Sequence, residues 1–375
     1  MRESKVIQVV AYGQTVGTLA AGRDYRIAFA YDEEWLEHGF AISPFSLPLK
    51  KEVFFPRSYD PFEGLFGVFA DSLPDGWGRL LVDRMMQRNG LALSEITNLY
   101  RLAVVGNSGM GALEYIPAIE LAAEIEGIDF DELAQSCKDL LQGEDSKDID
   151  TLFALGGSSG GARPKIFQKI DDEDWIIKFP STYDQSGIGK MEYDYACCAQ
   201  KCGIEMSETR LLPSKYHEGY FATKRFDRRK KKKIHMVSVS GLLETTHRIP
   251  NLDYHILMQL TLKLTKSYLQ VEKMFRLMCF NIFAHNRDDH SKNFSFLYEK
   301  EENQWRLAPA YDLTYSYSIG GEHATTINGQ GKNPSASDIL EVAGKAKLDM
   351  AKAKEIMREV EAIVKHDLEK YIRAD

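Results

Sequence analysis

The sequence predicts an α+β fold of two unlike halves, and three observations predict it. A glycine-rich turn followed by strand-like runs fills residues 156–226. Beyond residue 253 the chain reads mostly as helices, over 253–266, 271–284, 339–348 and 351–372. After the second of these helices comes a dense polar knot, His285-Asn286-Arg287-Asp288-Asp289-His290-Ser291-Lys292-Asn293, with Ala310-Tyr311-Asp312-Leu313 beyond a short strand. Burying so many donors and acceptors costs free energy unless each is paired, and core-like sequence on both sides argues against a solvated turn.

Size and charge bound the answer. The 375 residues suffice for about two or three domains. A net charge of −8 gives no general reason to bind nucleic acid. No apolar run has the length of a signal peptide or a membrane span, so a cytoplasmic protein without membrane contact is expected. Five cysteines fit a reducing compartment. Cys197, Cys198 and Cys202 share one predicted helix but lack the paired C-x-x-C spacing of zinc sites, and read as small, buried or half-buried residues.

Residues 5–32 alternate apolar and polar in three runs, a β-meander, and 44–61 is loop-like. Pro74-Asp75-Gly76-Trp77-Gly78 opens a helix over 79–88 that Asn89-Gly90 closes. This is expected to be a capped surface helix; a partner-binding platform around Trp77 is the sharper alternative. The glycines of Gly106-Asn107-Ser108-Gly109-Met110-Gly111 follow a helical stretch, 94–105, whereas a phosphate cradle needs a strand feeding it. They read as a turn into a strand over 112–116. Residues 118–150 are acidic, with a helix over 130–141, and Gly143-Glu144-Asp145-Ser146 marks a boundary.

The second glycine run, Gly156-Gly157-Ser158-Ser159-Gly160-Gly161-Ala162-Arg163-Pro164-Lys165, is better placed, because it opens into a strand over 165–170. Glycines let backbone N–H groups crowd a phosphate, and serine hydroxyls add donors. Lys178 stands alone in an apolar strand over 175–180, as does the lysine that grips nucleotide phosphates in kinases. A buried lysine demands a counter-charge, and Glu192 on a helix over 190–201 is placed to give it. The strand over 220–226, with Lys224 and Phe226, fits a hinge that receives adenine. The cations from Arg228 to Lys233 read as a solvated hairpin tip, with an anionic partner such as DNA as the alternative.

Arg287-Asp288 followed by Asn293 has the R-D-x-x-x-x-N spacing of a protein-kinase catalytic loop. Asp288 would orient an attacking hydroxyl and accept its proton. Asn293 and Asp312 would give magnesium the one or two hard protein oxygens it usually takes. Asn286 stands where kinases carry His, and Leu313-Thr314 follows Asp312 in place of Phe-Gly. His290 either contacts phosphates or structures the loop. The order of parts is that of a kinase: a strand-rich half with loop and lysine, then a helical half with the acidic groups.

With these residues in view the sequence resembles the HipA family, the kinase toxins of bacterial type II toxin–antitoxin modules. The resemblance rests on F-A-D-S-L-P-D-G-W-G (69–78), G-A-L-E-Y-I-P (111–117), G-G-S-S-G-G-A-R-P-K (156–165), I-I-K-F-P (176–180), F-D-R (226–228), N-R-D-D-H-S-K-N-F-S (286–295) and A-Y-D-L (310–313). It implies a protein-kinase-like two-lobed fold preceded by a small HipA-type N-terminal β+α domain. The expected division is 1–118 for that domain, 119–150 for an acidic helical linker, 151–226 for the N-lobe and 227–375 for the helical C-lobe. It further implies ATP and Mg²⁺ as cofactors and a serine/threonine protein substrate, an aminoacyl-tRNA synthetase in some relatives. A small helix-turn-helix antitoxin of HipB type is the implied partner, with DNA reached through it. Asp288 is the implied catalytic residue with His290 beside it. Lys178, Ser158, Ser159, Gly160, Gly161, Lys165, Glu192, Lys224, Phe226, Asn293 and Asp312 are the implied nucleotide contacts, and Asn293 and Asp312 the metal ligands. Self-phosphorylation is implied at the glycine loop, on Ser158 or Ser159. Two rivals remain: a non-catalytic antitoxin- and DNA-binding regulator on a kinase fold, and a small-molecule kinase.

Overall fold

The computed structural model describes residues 5–22, 24–119, 127–144, 146–182, 184 and 187–373. Residues 120–126 of the expected linker lie outside them. The chain forms two compact units. The first comprises Met1–Gly189, Leu211–Val237 and Gly241–Thr245; the second comprises Lys190–Arg210, Ser238–Ser240 and Thr246–Asp375. Elements are numbered in chain order.

The first unit opens with the expected meander, β1 (Val6–Ala11), β2 (Gln14–Ala21) and β3 (Ile27–Tyr31). Two further strands flank it, β4 (Val53–Phe54) and β5 (Glu114–Ile116), giving the order β4-β3-β2-β1-β5. The period-2 pattern works as expected: Ile7, Val9 and Ala11 of β1 are buried while Val6 and Gln8 face out. Helices α1 (Glu33–His38) and α2 (Gly67–Ala70) precede α3 (Gly76–Arg88), and α4 (Asn98–Val105) starts at the cap Thr97, whose side chain accepts from the Tyr100 amide. That cap explains why the helix expected over 94–105 begins late.

A second sheet, of order β6-β7-β9-β8, carries β6 (Lys165–Ile170), β7 (Glu173–Lys178), β8 (Thr209–Leu212) and β9 (Tyr220–Lys224). It shares one apolar core with α3, α5 (Phe130–Leu141) and α6 (Ile149–Gly156): Trp77, Leu81, Leu133, Cys137, Leu152, Ile166 and Trp175 all belong to it. α3 is capped at Asp75 as expected and leaves Gln87 and Arg88 exposed, but its other face is buried in that core, so Trp77 forms no exposed platform. Trp77 is 1 % exposed, and its indole N–H donates to the Lys165 carbonyl at 3.1 Å. An indole with a partner inside an apolar core is the stable resolution of a tryptophan flanked by glycines.

The basic run forms a tight hairpin, β10 (Arg228–Arg229) and β11 (Lys232–Lys233), turned at Lys230 and Lys231, both with left-handed φ. Its cations are met from within the unit, Lys231 by Asp172 at 2.6 Å and Lys233 by Glu114 at 2.8 Å. β12 (His235–Ser238) and α8 (Val239–Leu243) follow.

The second unit is mainly helical. It comprises most of α7 (Ile188–Lys201), α9 (Tyr254–Thr265), α10 (Tyr268–Phe283), α11 (Ala336–Lys345), α12 (Met350–Asp367) and α13 (Glu369–Ile372). The single helix expected over 351–372 is broken at Leu368, which is fully buried with non-helical φ of −110°. Short strands complete the unit: β13 (Leu252–Asp253) runs parallel to β16 (Thr325–Thr326), and β14 (Ser295–Glu299) forms a hairpin with β15 (Gln304–Leu307).

Candidate functional site

The site residues expected from the sequence fall on both units. Ser158, Ser159, Gly160, Gly161, Lys165, Lys178, Lys224 and Phe226 belong to the first; Glu192, Asp288, His290, Asn293 and Asp312 belong to the second.

In the first unit the glycine loop leaves the C-terminus of α6 and is held by its own carbonyls. The Ser159 hydroxyl donates to the Gly156 carbonyl at 2.6 Å, and Lys165 Nζ donates to the Gly160 carbonyl at 2.5 Å. The Ser159 and Gly161 carbonyls accept from the amides of Asp75 and Trp77, at 3.2 and 2.9 Å, where α3 begins. The loop thus follows the start of α3 closely enough that a Cβ at Gly78 would overlap the Ser159 carbonyl oxygen. Both Ser158 and Ser159 are buried.

Lys178 ends β7, buried, directly opposite Lys165 across the antiparallel pair. Its Nζ lies 5.6 Å from the Phe221 ring centroid. Lys224, opposite Trp175, pairs with Glu173 at 2.8 Å. The strand stops at Lys224, short of the expected residue 226, because Arg225, Asp227 and Arg228 turn into a buried network with the first glycine run. The Gly109 carbonyl accepts from Arg225 Nη2 at 2.7 Å and Arg228 Nη2 at 2.9 Å, and the Gly111 amide donates to Asp227 at 2.7 Å. Burial alone would raise the Asp227 carboxyl, but the two guanidiniums outweigh it and hold it below its ordinary value. Those glycines form the expected turn into β5, and the same turn seats the F-D-R motif.

In the second unit the polar knot is ordered by partners on every side. α10 ends at Ala284, whose carbonyl accepts from the Tyr195 hydroxyl at 2.7 Å. Asn286 packs back on that helix, donating to Asn281 Oδ1 at 2.9 Å. Asp288 stands out, 62 % exposed, while its neighbour Asp289 is fully buried. The Asp289 carboxylate accepts from the Tyr254 hydroxyl (2.7 Å), His323 Nδ1–H (2.9 Å) and the Thr325 amide (3.1 Å). Burial, with Asp289 beside it, pushes the Tyr254 hydroxyl well above its ordinary value, so it remains a donor. The sequence pointed to Asp288 and passed over Asp289, Tyr254 and His323. Two adjacent aspartates were the available signal, since successive residues of an extended turn face opposite ways and only one reaches solvent.

His290 Nδ1 accepts from the Lys292 amide at 3.3 Å, which leaves the proton on Nε2, 3.8 Å from Asp288 Oδ1. Its ring faces that of His247 at 5.4 Å. Asn293 Nδ2 donates to the Asp288 carbonyl at 2.7 Å, so Oδ1 is the atom it can offer elsewhere. The β14–β15 hairpin returns the chain to this point. The Tyr311 hydroxyl, beside Asp312, donates to the carbonyl of Lys292, beside Asn293, at 2.6 Å, and meets Ser295 Oγ at 2.6 Å. Asn293 and Asp312 therefore sit at the same end of one hairpin. His285 and Asp312 both hold left-handed φ, of 51° and 53°. Among the described residues Asn286 Oδ1, Ser291 Oγ and Thr314 Oγ1 are buried without a hydrogen-bond partner. Strain and uncompensated polar burial thus gather in this knot, as they do at sites shaped for chemistry.

No group of three His, Cys, Asp or Glu side chains able to hold a metal occurs among the described residues. A magnesium ion carried on phosphates needs less than that, one or two protein oxygens, and Asn293 Oδ1 with Asp312 is a donor set of that kind. Among the described residues no helix is long and apolar enough to cross a membrane.

A strand-rich unit whose sheet carries a buried lysine behind a glycine loop, and a helical unit carrying Asp-x₄-Asn and a hairpin-borne Asp, define an α+β chain of protein-kinase type. The chain belongs to the HipA family: residues 157–367 match the HipA-like C-terminal domain and residues 7–116 the HipA N-terminal domain. It is similar to Y4dM of Sinorhizobium fredii, a protein named as a candidate kinase, with 26 % identity over 88 % of this chain and 81 % of that one. A Haemophilus influenzae protein named in the same way is 26 % identical over 42 % of this chain and 52 % of its own length. Among solved structures, HipA of Shewanella oneidensis MR-1, in complex with HipB and its operator DNA, superposes with a TM-score of 0.73 at 16 % identity, covering 98 % of this chain and 91 % of that one. The fold is thus that of HipA, with both its N-terminal and C-terminal parts present.

Proposed function

We propose that the chain is an ATP- and magnesium-dependent serine/threonine protein kinase, acting in the cytoplasm as the toxin of a toxin–antitoxin module. The arrangement of Asp288, Asn293 and Asp312 carries this reading: an exposed carboxylate on an anchored loop, with two oxygen donors at one end of a hairpin. Asp288 orients the attacking hydroxyl and takes its proton. Asn293 Oδ1 and Asp312 hold magnesium, which when bound offsets charge on the transferring phosphate. Lys178, Lys165 and the backbone of 158–161 grip the phosphates, Glu192 supports Lys178, and Lys224 and Phe226 border the adenine. His290, protonated on Nε2, is a further donor. The proposed domain division remains 1–118, 119–150, 151–226 and 227–375.

The names of the two relatives support the kinase reading, and the complex of the Shewanella HipA supports a HipB-type antitoxin with DNA reached through it. Self-phosphorylation on Ser158 or Ser159 would require the loop to leave its place beside α3, since both side chains are buried there. A phosphate of about −1.5 to −2 charges would then keep it out.

One experiment tests the reading. Magnesium-ATP at about 100 times its Kd should stabilise the protein by roughly 2.7 kcal/mol. Phosphoprotein should then form with the wild type and not with Asp288→Ala. Binding without transfer would point to a regulator on a kinase fold, and equal transfer by the variant would remove Asp288 from the mechanism.

A further inference from the structure

Resting on the kinase reading for what activity means, we propose that Asp289 is a positioning residue that fixes where Asp288 points, by tying the loop to the segment 323–326. Asp289 is itself no proton acceptor for a substrate, because its carboxylate is fully buried and already takes donors from Tyr254, His323 and Thr325. Those donors come from the start of α9, from the approach to β16 and from β16. The backbone adds two ties to the same stretch. The Arg287 carbonyl accepts from the Ala324 amide at 3.0 Å, and the Asp289 carbonyl accepts from the Thr325 hydroxyl at 2.5 Å. Asp288 is therefore the exposed crest of a three-residue span pinned on both sides to consecutive residues.

The segment it is pinned to is rigid in turn. β16 pairs with β13, and the Asp253 carboxylate accepts from the Thr326 hydroxyl and the Gly329 amide, each at 2.7 Å. Asp253 and Tyr254 are neighbours, so two successive residues at the head of α9 brace the segment and the loop. A carboxylate is costly to bury, and one placed here with three donors gives the loop a single geometry that an apolar residue would not impose.

Asp289→Asn keeps the shape but turns an amide N–H toward groups that are themselves donors. A misplacement of roughly 1 Å at the reacting group costs about 100-fold, so kcat should fall by about that factor while the KM for ATP stays within about twofold. Tyr254→Phe and Thr325→Val, each removing one tie, should lose about tenfold by the same argument, and they carry the test if Asp289→Asn fails to fold. Backbone amide exchange at 287–289 and 323–326 should accelerate in all three variants. Unchanged kcat in the variants, or kcat and ATP affinity falling together, would overturn the positioning role. A wild type that binds ATP but transfers no phosphate would defeat the kinase reading instead. Exchange then decides the anchoring alone, and unchanged exchange at 323–326 would overturn it.

Discussion

Lys165 and Lys178 face each other across adjacent antiparallel strands, both buried, with Lys165 also bonded to the Gly160 carbonyl of the loop. Both lie in the unit that carries the glycine loop, and in the proposed reading both grip the nucleotide phosphates. Each lysine should then contribute a charge-assisted contact worth about 1.5–3 kcal/mol to phosphate binding. At a magnesium-ATP level that stabilises the wild type by roughly 2.7 kcal/mol, Lys178→Met and Lys165→Met should each show about 1 kcal/mol or less. Thermal denaturation with and without nucleotide measures this; a full shift in either variant excludes that lysine from the site.

The contact between the glycine loop and α3 makes a prediction about stability alone. A Cβ at Gly78 would overlap a backbone oxygen, Ser159 O, whereas nothing lies within 4 Å of a Cβ at Gly160. Overpacking against backbone typically costs about 1–3 kcal/mol, so Gly78→Ala should lose stability in that range. Gly160→Ala should stay within about 0.5 kcal/mol of the wild type. Urea melts of the two variants side by side check the pair, and equal midpoints would mean that the loop yields freely.

That contact also shows where the sequence ceased to be legible. The β-meander, β6, α5 and the polar knot could all be read from periodicity, caps and turn residues, because local pattern and tertiary role agree there. Spacing singled out Asp288, Asn293 and Asp312, and the fold sets Asn293 against the Asp288 carbonyl and Asp312 at the same end of the hairpin. Trp77 was not legible, because its neighbours Gly76 and Gly78 look like a flexible start of a surface helix. Their smallness serves the close approach of the 159–161 backbone instead, and that segment lies some 80 residues away. Gly109 and Gly111 were read correctly as a turn into a strand, but the part they play in seating Arg225 to Arg228 was not legible, since those partners are distant in sequence. Asp289 was hidden beside the residue that drew attention.

Burial pushes the His235 imidazole down to about 4, with its Nε2–H donating to the Ile42 carbonyl at 2.8 Å. An unfolded chain protonates this group near 6.5, so the folded state is favoured fully above that pH. As pH falls from about 6.5 to about 4 the unfolded state binds the proton first and stability drops, by about 3 kcal/mol in total. Below the lower value both states are protonated and the effect levels off. His235→Gln retains a donor for Ile42 without titrating. The wild type should therefore lose stability relative to the variant across this window; parallel pH profiles would show that His235 is not the group responsible.

Asn293 offers the sharpest separation of metal binding from catalysis, because its two amide atoms have different tasks. Nδ2 donates to the Asp288 carbonyl at 2.7 Å and so steadies the residue proposed to take the proton, while Oδ1 is the atom proposed to hold magnesium. Asn293→Asp keeps an oxygen for the metal and adds charge to it, but sets an acceptor against the Asp288 carbonyl. Magnesium should bind it at least as tightly as the wild type, while turnover falls by about 100-fold through the displaced loop. Asn293→Ala loses both atoms, so metal affinity and turnover should fall together. Magnesium titration of nucleotide binding, run beside phosphoryl-transfer rates, distinguishes the two variants. If Asn293→Asp turns over normally, the bond to the Asp288 carbonyl is incidental and the loop is held by its other anchors alone.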